Sequence, residues 1–395
     1  MERGGVGEVF LAFLKLGFSS FGGPIAHLGY FREEFVARRR WLDDAAYADL
    51  VALCQFLPGP ASSQVGFALG LMRAGWGGAL AAFIGFTAPS ALILLTLALG
   101  ASALEGPFAA GALNGLKIVA VAIVAQAVLG MAKSLCPDRE RAALAVLAVA
   151  ILAALPGAAG MVAAILAGGL AGLALGRGAG DAGGPLAAPV SRGAGLAALC
   201  LFAALLLLAP LLAGVSQALA MFDGFYRAGA LVFGGGHVVL PLLEAETVAT
   251  GWVSREDFLA GYGAAQAVPG PLFTFAAWLG AVSGSAPNGA AGAALALFAL
   301  FLPGFLLLVG VLPFWERLRA RASARSAMQG ANAAVVGVLG AALYDPVFTG
   351  SVGSMTDFAL ALLCLVLLVA WRVSPLAVVA LAAAAGAGLA GAGLS

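Results

Sequence analysis

Nine long apolar runs dominate the chain, at residues 78–103, 111–132, 142–155, 158–176, 195–213, 289–312, 327–346, 356–371 and 375–394. About 20 apolar residues carry a helix across a bilayer, and a helix satisfies its own backbone where no water can. The run 142–155 is short and is expected to borrow flanking residues. Apolar residues make up 62% of the chain and charged residues 10%, against about 45–50% and 25% in soluble domains. The lipid bilayer is therefore the expected solvent, and the expected class is an all-α polytopic membrane protein.

Several function classes fall away at once. A net charge of +1 gives no field for nucleic acid. Cys54, Cys136, Cys200 and Cys364 are scattered singly, with no CxxC pair. The segment MERGGVGEVF has no small-residue cleavage site after a short apolar core, so no removable signal is expected. No GxxxxGK[ST], HExxH or GxSxG motif occurs. The chain is expected not to be an enzyme and to need neither cofactor nor metal. The 56 glycines suit close helix packing in lipid, and spacings such as Gly172–Gly176 are packing signals.

The chain is a duplication. Phe21-Gly22-Gly23-Pro24 is echoed by Phe233-Gly234-Gly235-Gly236, which places Lys15 on Arg227 and Glu34 on Glu246. One residue is lost in the loop. Trp41 then matches Trp252, Gln55 matches Gln266, and Pro58-Gly59-Pro60 matches Pro269-Gly270-Pro271. Pro89 later falls on Pro303. The expected organisation is a repeat over 1–176, a polar linker and connecting transmembrane helix over 177–214, and a second repeat over 215–395.

Loop charge sets the relative orientation of the repeats. After the first FGG come Arg32, Arg38, Arg39 and Arg40, and after the first PGP comes Arg73. The loop after the second FGG carries Glu244, Glu246, Glu256 and Asp257 against Arg255. The loop near Glu105 has no basic residue, whereas its counterpart has Arg317, Arg319, Arg321 and Arg325. The sign inverts loop by loop, which predicts inverted repeats. All basic clusters fall on the cytoplasmic side if the FGG and PGP segments are re-entrant helical hairpins. Each repeat then adds about four transmembrane helices, with a cytoplasmic N-terminus and an external C-terminus.

The breaks carry the candidate chemistry. Proline interrupts a helix and glycine allows the reversal. A helix restarting there points free N–H groups and the positive end of its dipole inward, a ready anion site. The candidate substrate-binding residues are Gly22, Gly23, Pro24, Gln55, Pro58, Gly59, Pro60, Ser62 and Ser63, then Gly234, Gly235, Gly236, Gln266, Pro269, Gly270, Pro271 and Thr274. The plainer reading of each break is a packing kink. Lys15 and Arg227 are candidates for balancing a bound dianion, because intramembrane cations are costly; snorkelling to the interface is their plainer role. Lys117, near Asn114 and matched to Asn332, is a weaker donor. His27 and His237 could relay protons, although an interfacial hydrogen-bonding side chain is their more usual role; Glu34 and Glu246 could couple protons, although a solvated helix face is their plainer place.

The stretch FGGPIAHLGYFREEFVARRRWLDDAAYADLVALCQFLPGPASSQVG resembles the N-terminal signature of the chromate ion transporter (CHR) family. FGGGHVVLPLLEAETVATGWVSREDFLAGYGAAQAVPGPLFTFAAWLG is similar to its C-terminal counterpart, and the likeness covers essentially the whole chain in the two-domain form. The family's motif residues map onto Gly22, Gly23, Pro24, Arg32, Gln55, Pro58, Gly59, Pro60, Gly235, His237, Pro269 and Pro271. The resemblance implies a secondary transporter of the bacterial inner membrane that exports chromate and so confers resistance, with sulfate as the structural analogue. Sulfate-like oxyanion uptake and a passive anion channel are the alternatives. The expected partners are chromate, sulfate and the lipid bilayer, and pairing as a homodimer is compatible with this reading.

Overall fold

The computed structural model describes residues 4–20, 23–101, 107–176, 190–232, 238–319 and 321–391. Every regular element among them is helical. The first repeat runs α1 (Val6–Ser19), α2 (Gly23–Phe31) widening into a π-helix (Arg32–Arg38), and α3 (Asp44–Phe56). Then come α4 (Ala61–Ala101), α5 (Pro107–Leu135), α6 (Arg139–Ala154) and α7 (Ala158–Leu175). The connecting helix is α8 (Arg192–Leu212). The second repeat runs α9 (Gln217–Leu231), α10 (Val239–Thr247), α11 (Arg255–Ala267), and a 3-10 turn (Leu272–Thr274) entering α12 (Phe275–Ala281). It continues through α13 (Gly289–Val311), α14 (Trp315–Arg319), α15 (Ala322–Ala342), a π segment (Leu343–Phe348), α16 (Thr349–Ser351), α17 (Met355–Val369) and α18 (Pro375–Gly391).

The apolar runs become helices, and polar residues mark where they begin. Asp43, Asp138, Ser191, Ser216, Ser254 and Ser354 each accept the amide of the residue three positions on. Such caps satisfy a donor that the helix leaves orphaned. Five stretches are long and apolar enough to span a membrane: Ala61–Gly100, Ala110–Lys133, Arg192–Leu212, Gly289–Arg317 and Ala322–Ser351. The chain is a multi-pass membrane protein.

Both breaks of the first repeat are tips of helical hairpins whose feet meet. α1 leads to the FGG break, and α2 with its π-helix comes back, so that Arg39 lies 3.7 Å from Glu8 near the start of α1. α3 leads to the PGP break, and α4 comes back as far as Arg73, 3.2 Å from the same Glu8. There α4 is interrupted at Ala74–Gly75, where Gly75 has φ +64°. In the second repeat the feet meet around Trp252, whose carbonyl accepts the amide of Gly284 at 2.9 Å.

The two sets of feet lie at opposite ends of one helix. α13 begins five residues after Gly284 and leads to Trp315. The Trp315 indole donates to Asp49 at 3.2 Å, midway along α3 of the first repeat's second hairpin. At about 1.5 Å per residue, the 23 residues of α13 span roughly 34 Å. The repeats are inverted.

They are also interlocked. α5 of the first repeat packs on α17 and α18 of the second, and α15 of the second packs on α6 and α7 of the first. Glycines make these approaches close: a Cβ on Gly115 would fall 2.0 Å from the Ala382 carbonyl, and one on Gly172 2.2 Å from that of Ser326. The two sequence repeats build one shared hydrophobic core among the described residues.

Candidate functional site at the crossed helix breaks

The interlocking reaches its centre at the breaks. The Gly59 amide, in the first PGP, donates to the Val232 carbonyl just before the second FGG, at 2.8 Å. The Gly270 amide, in the second PGP, donates to the Ser20 carbonyl just before the first FGG, also at 2.8 Å. Each PGP turn thus closes on the other repeat's FGG break. Gly59 and Gly270 hold φ of +122° and +92°, which side-chain-bearing residues rarely adopt. There is also no room for a side chain. A Cβ on Gly59 would meet Gly304 Cα at 3.0 Å, and one on Gly270 would meet Ser90 Oγ at 2.9 Å.

A cavity of about 60 Å³ opens beside one crossing, lined by Gly23, Gln126, Gln266, Val268, Gly270 and Pro375 among others. At about 10–15 Å³ per water centre it has room for several waters. The first turn of α2 reaches it at Gly23. The Gln266 side chain reaches it from α11, where it hydrogen-bonds Tyr262, and Gln126 Nε2 lies 3.4 Å from the Leu368 carbonyl. The donors around this space are thus amides and a helix start.

The other candidates fall into three groups. Gly22, Gly234, Gly235, Gly236 and His237 lie outside the described residues. Near the crossings, His27, Ser62 and Ser63 are all buried. His27 Nδ1 lies 3.4 Å from Ser62 Oγ, and Ser63 Oγ has no partner. Pro58 supplies its carbonyl to Gln64 Nε2 at 3.0 Å. Thr274 donates to the Pro271 carbonyl of its own turn at 2.7 Å, so its hydroxyl is already engaged. Pro24 is half-buried in the first turn of α2, and Pro60 and Pro269 complete the turns.

The third group stands apart from the crossings. Gln55 is exposed, unlike its counterpart Gln266. Lys15 is exposed on α1 and forms no ion pair among the described residues. Arg227 lies between Asp223 at 3.0 Å and Glu246 at 2.9 Å, so its charge is engaged. Glu34 is held by Arg38 and by Arg39, the latter at 2.7 Å, at the feet of the first repeat. Lys117 and Asn114 are half-buried on α5. Arg32 pairs with Asp44 at 2.7 Å at the surface.

Three glutamines and acids that matter escape a motif search. Gln64 is fully buried and ties the first PGP turn to the Gly304 carbonyl at 2.8 Å. Gln126 sits in an apolar stretch of α5, and no motif marks it. Asp223 stands four residues before Arg227, a helical pairing distance that was open to inspection.

Crossed, inverted repeats with donor-bearing helix breaks define a class: multi-pass membrane proteins of the transporter type. Within it, the chain belongs to the chromate transporter family. That family's model, described as "Chromate transporter", matches residues 7–173 and again 219–387. A chromate transport protein of Pseudomonas aeruginosa is 31% identical over 347 residues, covering 86% of this chain and 80% of the relative. One from Cupriavidus metallidurans is 27% identical over 369 residues, covering 91% and 86%. A probable chromate transport protein of Synechococcus elongatus is 29% identical, covering 84% and 82%. No solved structure matches the chain.

Proposed function

We propose that this chain is a secondary transporter that exports chromate across the bacterial inner membrane and that sulfate competes for the same path. The observation that carries the reading is the pair of reciprocal hydrogen bonds from Gly59 to Val232 and from Gly270 to Ser20. They bring four interrupted helices together at the centre of an apolar bundle. Irregular backbone at that depth is tolerated where it lines a cavity, and the cavity between Gly23 and Gly270 fits that rule. On this reading the FGG and PGP hairpins are re-entrant, with feet in opposite leaflets and tips meeting near the midplane. Helix starts and the amides of Gln126 and Gln266 receive the oxyanion. Arg227, already held by two carboxylates, stands outside the site, and so does exposed Lys15. A dianion is thus recognised by hydrogen-bond donors and helix ends, and family relatives named for chromate supply the substrate.

The test is uptake by inside-out membrane vesicles carrying the chain. Chromate should accumulate, excess sulfate should reduce the rate, and vesicles lacking the chain should accumulate none. Chromate uptake equal to that of the empty vesicles would refute the reading.

A further inference from the structure

The two crossings have the same backbone and different chemistry. Their residues are paired by the anchors they share. Gly17 packs on Pro89 as Gly229 packs on Pro303, and Gly270 abuts Ser90 as Gly59 abuts Gly304. Counted from these anchors, Ser20 corresponds to Val232, His27 to Val239, Ser62 to Phe273, Thr87 to Phe301 and Ser90 to Gly304. Ser63 corresponds to Thr274, whose hydroxyl is engaged by its own turn. The second crossing is thus largely aromatic, with Phe273 and Phe301 5.6 Å apart and Phe301 stacked on Phe305, and the unpaired atom that Gln64 leaves there, Oε1, is an acceptor rather than a donor. At the first crossing the same positions carry hydroxyls and an imidazole.

Among the described residues, three hydroxyls of the first crossing have no hydrogen-bond partner, Ser20 Oγ, Ser63 Oγ and Thr87 Oγ1, and the His27 ring is buried beside the Ser20 backbone. Ser20, Ser63 and Thr87 are 0%, 3% and 4% exposed, and His27 is 1% exposed. Such hydroxyls are rarely left unpaired, because each forfeits hydrogen bonds it would make to water. One orphan is ordinary; three hydroxyls around one hairpin tip, beside a buried imidazole, point to a polar guest. The cluster is compact. His27 lies 3.4 Å from Ser62 Oγ and edge-on to Phe86, whose carbonyl, with Ser90 Oγ, backs Gly270. When Ser62 donates to His27 Nδ1, the ring proton sits on Nε2, and each orphan hydroxyl can donate as well. Two helices begin here, α2 at Gly23 and α4 at Ala61, with Ser62 and Ser63 in the first turn of α4. The matching turn of the second repeat enters a 3-10 segment instead. Gly270, which abuts Ser90, lines the cavity together with Gly23.

We propose that the transported oxyanion has one binding site rather than two, built on the first repeat by Ser20, His27, Ser63 and Thr87, while the second crossing is a dry mechanical counterpart. This rests on the oxyanion-transport reading above and specifies it. Uncharged donors beside two helix starts suit an oxyanion and reject cations. The arrangement also explains why the duplication kept its backbone but lost its polar groups on one side. A second buried donor cluster without a ligand would cost stability, so aromatic filling replaced it.

The experiment measures equilibrium binding of labelled chromate and labelled sulfate to the purified full chain, with uptake in inside-out vesicles alongside. Thr87→Val and Ser63→Ala should each weaken binding by roughly 2- to 10-fold, the value of one neutral hydrogen bond. The double variant should lose at least about 10-fold. Thr87→Ser should restore it, which separates a lost donor from a lost fold. Thr274→Val, on the dry side, should stay within about twofold of the parent. If the parent transports chromate and the double variant binds it as tightly as the parent, the one-sided site is wrong and the orphans hold only water. If Thr274→Val weakens binding as much as Thr87→Val, the site is two-sided and the proposal also falls. If the parent neither binds nor carries either oxyanion, the transport reading itself fails first.

Discussion

The feet of the first repeat's hairpins and those of the second share a backbone plan and carry opposite charge. In the first, Glu8 bridges Arg39 at 3.7 Å and Arg73 at 3.2 Å, Glu34 is held by Arg38 and Arg39, and Arg39 and Arg73 flank the buried Trp41 ring at 5.8 and 5.2 Å. Arginine is in excess there, since Arg40 adjoins the same group. In the second, a single Arg227 serves both Asp223 and Glu246, and Trp252 stands in the place of Trp41. Bringing two hairpin feet together therefore does not dictate which charge holds them. The excess of arginine is what the retention of basic residues in the cytoplasm predicts for feet on that side. The inversion of the repeats is thus written twice, in the course of α13 and in the sign of the two feet.

The strongest way to break this comparison is topological, and its expected effect is all-or-none. Ala37 and Glu256 are exposed residues at the two sets of feet. Cysteines introduced singly there should react with an impermeant maleimide from opposite sides: position 37 only in inside-out vesicles, position 256 only in intact cells. Labelling of both from one side would overturn the inverted arrangement.

Next in size is the loss of Arg227. Asp223 and Glu246 have side chains 4% and 11% exposed and both lean on this guanidinium. Breaking a buried ion pair from one partner costs about 3–5 kcal/mol. Arg227 is itself 37% exposed, so Arg227→Gln should fall at or below the low end of that range. The expected outcome is a clear drop in thermal stability in detergent and in membrane yield. Adding Asp223→Asn and Glu246→Gln should recover most of the loss, because the stranded charges are then gone. Lys15→Gln, at the matching but exposed position, should change stability by less than about 0.5 kcal/mol. Equal losses for Lys15→Gln and Arg227→Gln would show that the two positions play one role after all.

That contrast also marks what the sequence could disclose. The helices were legible because lipid demands long apolar runs, and the inversion because loop charge obeys a simple rule. The breaks were legible as duplicated FGG and PGP motifs. The reciprocal bonds from Gly59 to Val232 and from Gly270 to Ser20 were not, since a repeat pattern is silent on whether the halves stand side by side or interlock. Gln126 was hidden because its repeat partner is Ala341, so duplication could not flag it. Ser20 and Thr87 look like ordinary small residues in apolar runs until their burial and lack of partners are seen. Motif symmetry did not disclose that Gln55 is exposed while Gln266 lines the cavity.

The smallest effect concerns Glu34, and it sharpens the comparison through pH. Burial pushes the Glu34 carboxyl up, but hydrogen bonds from Arg39 and Arg38, with their charges, outweigh it and hold it below its ordinary value of 4.5. A carboxyl whose folded value lies below its unfolded one stabilises the fold while ionised. That contribution is complete above the unfolded value and is lost as pH falls through the folded one. The parent chain in detergent should therefore lose thermal stability as pH drops below 4.5, and Glu34→Gln should show a shallower loss over the same interval. At neutral pH the variant should melt only slightly lower than the parent, because Glu8 still ties Arg39 and Arg73 together. A parallel acid response in the two proteins would mean that Glu34 is not ionised in its arginine cradle. The first repeat's feet would then be held by Glu8 and Trp41 alone.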